Sequence, residues 1–144
     1  MSQFVLDNSV AMRWLLASQK ATDQAYAERI LHSFIDAEAV VPHLWHLEAT
    51  NVLLGAERSG ALNSGEVERF IVQLEVLPIQ RDTLTARQAF SRTLGLARAY
   101  KLSSYDAAYL ELALREGLPL ATLDKALKKA AKQADVTLYL AAVE

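Results

Sequence analysis

Short apolar runs alternate with amphipathic segments along the whole chain, and this alternation constrains the fold more than any other feature. Phe4-Val5-Leu6 is a strand candidate ended by Asp7, and Ala39-Val40-Val41 is stopped by Pro42. Val76-Leu77 with Ile79 is a third, where Pro78 points to an irregular or edge position. Leu118 to Leu123 and Val136 to Leu140 complete the set, each bounded by turn or cap residues. The intervening segments have helical periodicity. They run from Val10 to Leu16, Asp23 to Ile35, Leu44 to Ser59, Asn63 or Ser64 to Leu74, Asp82 or Thr83 to Tyr100, Ser103 or Ser104 to Gly117, and Asp124 to Gln133. Ala27, Ile30, Leu31, Phe34 and Ile35 share one face of the second; Leu47, Val52, Leu53 and Ala56 lie near one side of the third. Asn63 and Glu66 have capping-box spacing, and Gly60 suits the end of the helix before it. Strands separated by helices predict an α/β fold: a mostly parallel sheet of about five strands, covered by helices on both faces and joined by right-handed crossovers.

The 144 residues fit one domain, taken as residues 1–144. Five glycines, three prolines and 22% charged residues exclude disordered, collagenous and low-complexity classes. The absence of cysteine removes disulfides, thiolate metal sites and cysteine nucleophiles, and is compatible with a cytoplasmic address. A net charge of −2 is not that of a general nucleic-acid binder, so any such contact must come from a local patch. The opening MSQFVLDNSV lacks the basic region of a secretion signal, and no apolar run is long enough to span a membrane.

In such folds ligands bind in the crevice beyond the carboxyl ends of the strands. Asp7 directly follows the first expected strand, and Asp124 closely follows the fourth. Glu48 and Asp106 sit near helix starts, flanked by alanine and large apolar residues, an unusual setting for a solvated charge. Each acid alone has a bland explanation, as a helix N-terminal acid favoured by the macrodipole or as an ordinary surface carboxylate. Together they would face one crevice. Four carboxylates converging without a partner repel, and must bind cations or protonate. Oxygen-only ligands suit Mg²⁺ or Mn²⁺ better than zinc.

These segments resemble the PIN-domain ribonucleases, most closely the VapC-type toxins of bacterial toxin–antitoxin pairs. The likeness runs from Val5-Leu6-Asp7-Asn8-Ser9-Val10 to the final expected strand. Pro42 to Leu53 resembles the second motif of the family, with Glu48 and Asn51 in the expected places. Leu102-Ser103-Ser104-Tyr105-Asp106-Ala107-Ala108-Tyr109-Leu110, with Leu112-Ala113, resembles the third and is the most specific; Leu120-Ala121-Thr122-Leu123-Asp124 resembles the fourth. The resemblance implies a PIN-like three-layer fold, with Asp7, Glu48, Asp106 and Asp124 as the catalytic, metal-binding acids. Ser9 and Thr122 match supporting hydroxyl positions, and Asn51 matches a polar position that orders the site. It further implies Mg²⁺ as cofactor with Mn²⁺ as substitute, an RNA substrate, a cognate antitoxin that covers a groove near the site, and a homodimer. The implied chemistry is hydrolysis of RNA by water, leaving 5′-phosphate and 3′-hydroxyl ends. Some relatives carry a further acid two residues after the fourth; Ala126 stands there, which leaves open whether a second ion is held tightly.

His32, His43 and His46 pair with no nucleophile and lack metal-ligand spacing, which favours structural or solvated roles. Trp14, Leu15 and Leu16 are expected in the core. Lys125, Lys128, Lys129 and Lys132 recur at i, i+3, i+4 and i+7 directly after Asp124. They form either a solvated helix face or a phosphate contact beside the acids, with Lys125, Lys128 and Lys129 as the candidate RNA-binding residues. Without these four lysines, 11 basic residues face 17 acidic ones. Two other classes compete with a nuclease: a PIN-fold binding or regulatory module without catalysis, and a receiver-like phosphoacceptor. The second wants paired acids after the first strand and a late lysine, which Asp7-Asn8 and Leu120-Ala121-Thr122-Leu123 do not supply.

Overall fold

The computed structural model describes residues 2–141. Four parallel strands, β1 (Ser2–Leu6), β2 (Ala37–Val41), β3 (Ile79–Arg81) and β4 (Leu120–Ala121), form one sheet in the order β3-β2-β1-β4. Phe4, Val5 and Leu6 are consecutive in β1 and all fully buried. Successive strand residues point to opposite faces, so helices cover this sheet on both sides.

The helices are α1 (Asn8–Ala11), prolonged by a 3₁₀ turn at Met12–Trp14, then α2 (Ala21–Ser33), α3 (Trp45–Arg58) and α4 (Ser64–Glu75). After β3 come α5 (Thr85–Gln88), a π-helical turn at Ala89–Thr93, α6 (Leu94–Tyr100) and α7 (Ser104–Glu116); α8 (Lys125–Gln133) follows β4. The expected capping box on α4 is present, with the Glu66 N–H donating to Asn63 Oδ1 at 2.9 Å and the Asn63 N–H to Glu66 Oε1 at 3.1 Å. Trp14 is pinned by its indole N–H, which donates to the Ala27 carbonyl at 2.8 Å, and with Leu15 and Leu16 it packs against the core.

Several expectations are corrected. The fifth strand does not form. Val136 to Leu140 contributes one parallel bridge, Leu138 beside Leu120. Asp135 and Leu140 take φ of 60° and 49°, turning the backbone out of the extended region at both ends of the stub. The segment serves the core instead, with Tyr139 stacked on Phe4 at 4.1 Å. The third strand starts only after Pro78, at the sheet edge, and Val76 is exposed. Along α3 the buried residues are Trp45, Ala49, Leu53 and Ala56, whereas Leu47 and Val52 face outward. The spacing 4, 4, 3 places the small alanines against the core, where side-chain size alone favoured the wrong stripe. Ile35 is exposed because α2 ends at Ser33, so the helical phase no longer applies to it.

Candidate functional site: an acidic crevice at the sheet edge

In a parallel sheet all strand C-termini lie on one edge, and the helices that follow begin there. Asp7 leaves β1 as the N-cap residue of α1, and its N–H donates to the Ala121 carbonyl at the end of β4, 3.0 Å away. Glu48 and Asp106 lie in the first turns of α3 and α7, and Asp124 is the N-cap of α8. All four acids therefore stand at helix N-termini, where the positive end of the dipole partly offsets their charge.

Asp7 is the most enclosed. Ser9 Oγ and Thr122 Oγ1 both donate to its Oδ2, at 2.6 and 2.7 Å. Ser9 Oγ also accepts the Leu123 N–H at 2.9 Å, and Thr122 Oγ1 accepts the Asp124 N–H at 3.1 Å. The two hydroxyls thus lock the end of β1 to the loop after β4. Burial pushes the Asp7 carboxyl up, these two hydrogen bonds oppose the shift, and Glu48 and Asp124 add to it.

Glu48 is half-buried. Tyr109 donates to its Oε1 at 2.5 Å, and Asn8 Nδ2 approaches the same oxygen at 3.5 Å. Burial raises the Glu48 pKa, Tyr109 and Asn8 lower it, and Asp106 raises it. The Asp106 carboxyl is pushed up to about 6, by burial first, then by Asp124 and Asp7, with Ser103 opposing. Asp124 caps α8 by accepting the Leu127 N–H at 2.8 Å. The mutual repulsions link Asp7 with Glu48 and Asp124, and Asp106 with Glu48, Asp124 and Asp7. Four acids from four separate segments thus share one electrostatic neighbourhood.

The donor set is all oxygen, which fits a hard divalent cation. One oxygen each of Asp7, Glu48 and Asp124 is held by a protein donor, leaving the other to face a ligand. As the side chains stand, no group of three or more His, Asp or Glu among the described residues is gathered closely enough to hold an ion. Unpaired carboxylates repel one another, and a bound cation would offset that repulsion.

The other expected residues fall as follows. Ser9 and Thr122 join the acids directly. Asn51 is exposed on α3, one turn beyond Glu48, and its side chain makes no hydrogen bond among the described residues. Lys125 and Lys129 are exposed on α8 and Lys128 is partly buried. His32, His43 and His46 lie on the surface, and His46 sits edge-on to Trp45.

Two polar residues escaped the sequence reading. Tyr109 is fully buried and its hydroxyl serves Glu48; burial raises its pKa, as do Asp7 and Glu48. Asn8 Nδ2 donates to the Trp45 carbonyl at 3.0 Å, tying α1 to the start of α3, while its Oδ1 is buried without a partner. A usable signal existed for Tyr109. It lies one helical turn from Asp106 within an apolar run, and a buried tyrosine hydroxyl usually finds a partner.

A single parallel sheet with acids near the carboxyl edge of its strands defines a class of α/β folds with an acidic crevice. Within that class, the PIN domain family model matches residues 4–133, and the chain belongs to that family, whose members are generally nucleases and typically depend on divalent metal. No curated protein matches the sequence. Among solved structures, the chain is similar in fold to PAE2754 from Pyrobaculum aerophilum, at 22% identity and a TM-score of 0.64, covering 90% of this chain and 86% of that one.

Proposed function

We propose that this protein is a Mg²⁺-dependent endoribonuclease, the toxin of a type II toxin–antitoxin pair, and that RNA is hydrolysed at the cluster of Asp7, Glu48, Asp106 and Asp124. The observation that carries the reading is the convergence of four acids, from four separate segments, into one set of mutual repulsions. A bound divalent ion supplies Lewis-acid polarisation of the phosphate and lowers the pKa of an attacking water. The chain's own residues position this chemistry. Ser9 and Thr122 fix Asp7 by one oxygen, Tyr109 fixes Glu48, and the backbone of α8 fixes Asp124. Asp106, whose carboxyl burial and the neighbouring acids push up to about 6 against the opposing Ser103, completes the set. Asn51 and the lysines Lys125, Lys128 and Lys129 are assigned to ordering the site and to the RNA backbone.

Two apolar features support the assembly the reading requires. An apolar groove of about 620 Å³ between α3 and α4, walled by Trp45, Ala49, Leu53, Val67, Ile71 and Leu74, begins one turn from Glu48 and suits the antitoxin. Leu84, Phe90 and Leu94 are exposed apolar residues of the segment after β3 and are assigned to the contact with a second copy. No helix among the described residues is long and apolar enough to cross a membrane.

The alternative, a PIN-fold binding or regulatory module without catalysis, draws on the lack of a closed three-ligand group among the described residues. One experiment separates the two. Purified protein should cut RNA with Mg²⁺ or Mn²⁺, stop with chelator, and lose most activity in Asp106→Asn, because an amide of similar shape is a poorer cation ligand. Undiminished cleavage in chelator would falsify the metal-dependent reading; no cleavage under any condition would leave the binding module.

A further inference from the structure

A second concavity, of about 580 Å³, lies beside the acidic crevice, between α2 and α8. Four cations line it: Lys20 and Arg29 on the α2 side, Lys128 and Lys132 on the α8 side. Asp23 is the one carboxylate among its lining residues, so this wall is strongly cationic in a chain of net charge −2. No ion pair among the described residues uses any of the four. Arg29 is braced, its guanidinium 5.6 Å from the centroid of the Tyr26 ring, and the Tyr26 hydroxyl is spent on the Tyr139 carbonyl at 2.5 Å. Thr122 belongs to both places. It lines the concavity, and its hydroxyl donates to Asp7 Oδ2 at 2.7 Å.

Like charges held around a hollow repel one another, as Lys128 and Lys132 do at i,i+4 on one helix, and an anion relieves that repulsion. The acidic crevice has the opposite difficulty, since four carboxylates repel a polyanion. A strand cut at Asp7 must therefore draw its binding energy from beside the acids. We propose that this pocket holds the phosphodiester and sugar of the RNA nucleotide next to the cut bond, recognised by backbone charge and not by base. The proposal rests on the ribonuclease reading for its substrate. It adds Lys20, Arg29 and Lys132 to the RNA contact, and leaves Lys125 and Lys129 outside the pocket.

The test uses the full chain and a labelled single-stranded RNA oligonucleotide, with binding measured in chelator over a salt series and cleavage measured with Mg²⁺. Lys20→Gln/Lys132→Gln removes one cation from each wall, both at exposed positions. Its dissociation constant should rise about tenfold, and its salt slope should flatten by about 1.4, since each phosphate contact on a single strand contributes about 0.7. Cleavage should show a raised KM with kcat retained. Asp23→Asn should move binding the other way, tighter than wild type. If wild type cleaves RNA while the double variant keeps the wild-type dissociation constant, slope and KM, the pocket proposal is wrong and the ribonuclease reading stands. If wild type cleaves nothing, yet the double variant shows the weaker, flatter binding, the ribonuclease reading fails and the pocket stands as a contact for the RNA backbone alone. Polyglutamate competing as well as RNA at equal charge would overturn the pocket in favour of an acidic protein partner.

Discussion

Tyr109 shows how a residue without charge governs one with it. Its hydroxyl donates to Glu48 Oε1, and Glu48 is only half-buried, so the bond decides where the carboxylate rests. Tyr109→Phe removes the donor while keeping the ring that fills the core. The variant should fold, and should lose about 10- to 100-fold in Mn²⁺ affinity or in RNase activity, the usual cost of removing a group that orients a metal ligand. Titration calorimetry with Mn²⁺ alone, without RNA, reads the effect independently of turnover. Unchanged Mn²⁺ affinity would reduce Tyr109 to a packing residue. Ser9 and Thr122 act by the same logic on Asp7, but as a pair, so that loss of one leaves the other in place.

Among elements, the join between β3 and α7 depends on one arginine. Asp82 leaves β3 as Asp7 leaves β1, at the same sheet edge, yet it stands outside the four-acid set, gripped by Arg115 of α7. Arg115 Nη1 and Nη2 donate to its two oxygens at 3.1 and 2.7 Å, and Nε reaches Glu111 at 2.9 Å. Burial alone would raise the Asp82 pKa; bonds from Arg115, Thr85 and the Leu84 N–H reverse the shift. Removing one partner of a buried pair leaves the others uncompensated, at about 3–5 kcal/mol. Arg115→Met should therefore destabilise the fold by about that amount at pH 7 in denaturant unfolding. A depressed carboxyl stabilises above its unfolded value and loses that contribution as pH falls through the folded one. The difference between Arg115→Met and wild type should then shrink below the ordinary value of 3.8. A deficit that stays constant into acid would point to lost packing instead of lost pairing.

For the molecule as a whole, the acid cluster sets the pH dependence of the metal-free state. The Asp106 carboxyl moves from 3.8 to about 6 on folding, and Asp7 and Glu48 move in the same direction. A raised carboxyl means that the folded chain binds more protons, so its contribution is complete below 3.8 and is lost as pH rises to about 6. In chelator, the Tm difference between Asp106→Asn and wild type should therefore move in favour of the variant across that window. At neutral pH Asp124→Asn should melt no lower than wild type, since Asn caps a helix as well as Asp and the repulsion with Asp106 is gone. Mg²⁺ at a hundredfold excess over its dissociation constant should stabilise wild type by about 2.7 kcal/mol, and this variant much less. Should Asp124→Asn melt several degrees lower in chelator and respond to Mg²⁺ like wild type, Asp124 is a cap alone and the four-acid site is wrong.

What the sequence determined by itself was local. Apolar runs of strand length, caps such as Asn63 with Glu66, and breakers such as Pro42 and Gly117 act over a few residues, so element order and the parallel sheet were legible from them. The four acids were legible because each follows a strand or opens a helix, and the strand-end rule turns that position into a place. Tertiary structure decided the rest. Whether Val136 to Leu140 pairs depended on backbone turns at Asp135 and Leu140 and on Tyr139 settling against Phe4. Which face of α3 is buried depended on what lay opposite, and the answer was alanine at Ala49 and Ala56, not Leu47. Asp7 and Asp82 have like local settings, each closing a strand at the same edge. Only the long-range arrival of Thr122 beside the neighbouring Ser9 at one, and of Arg115 at the other, made the first a candidate ligand and the second a structural anchor. The physical reason is that a carboxylate's role follows from the charges and donors within a few ångströms of it, and for residues 33 or 115 positions apart in the chain those are set by packing.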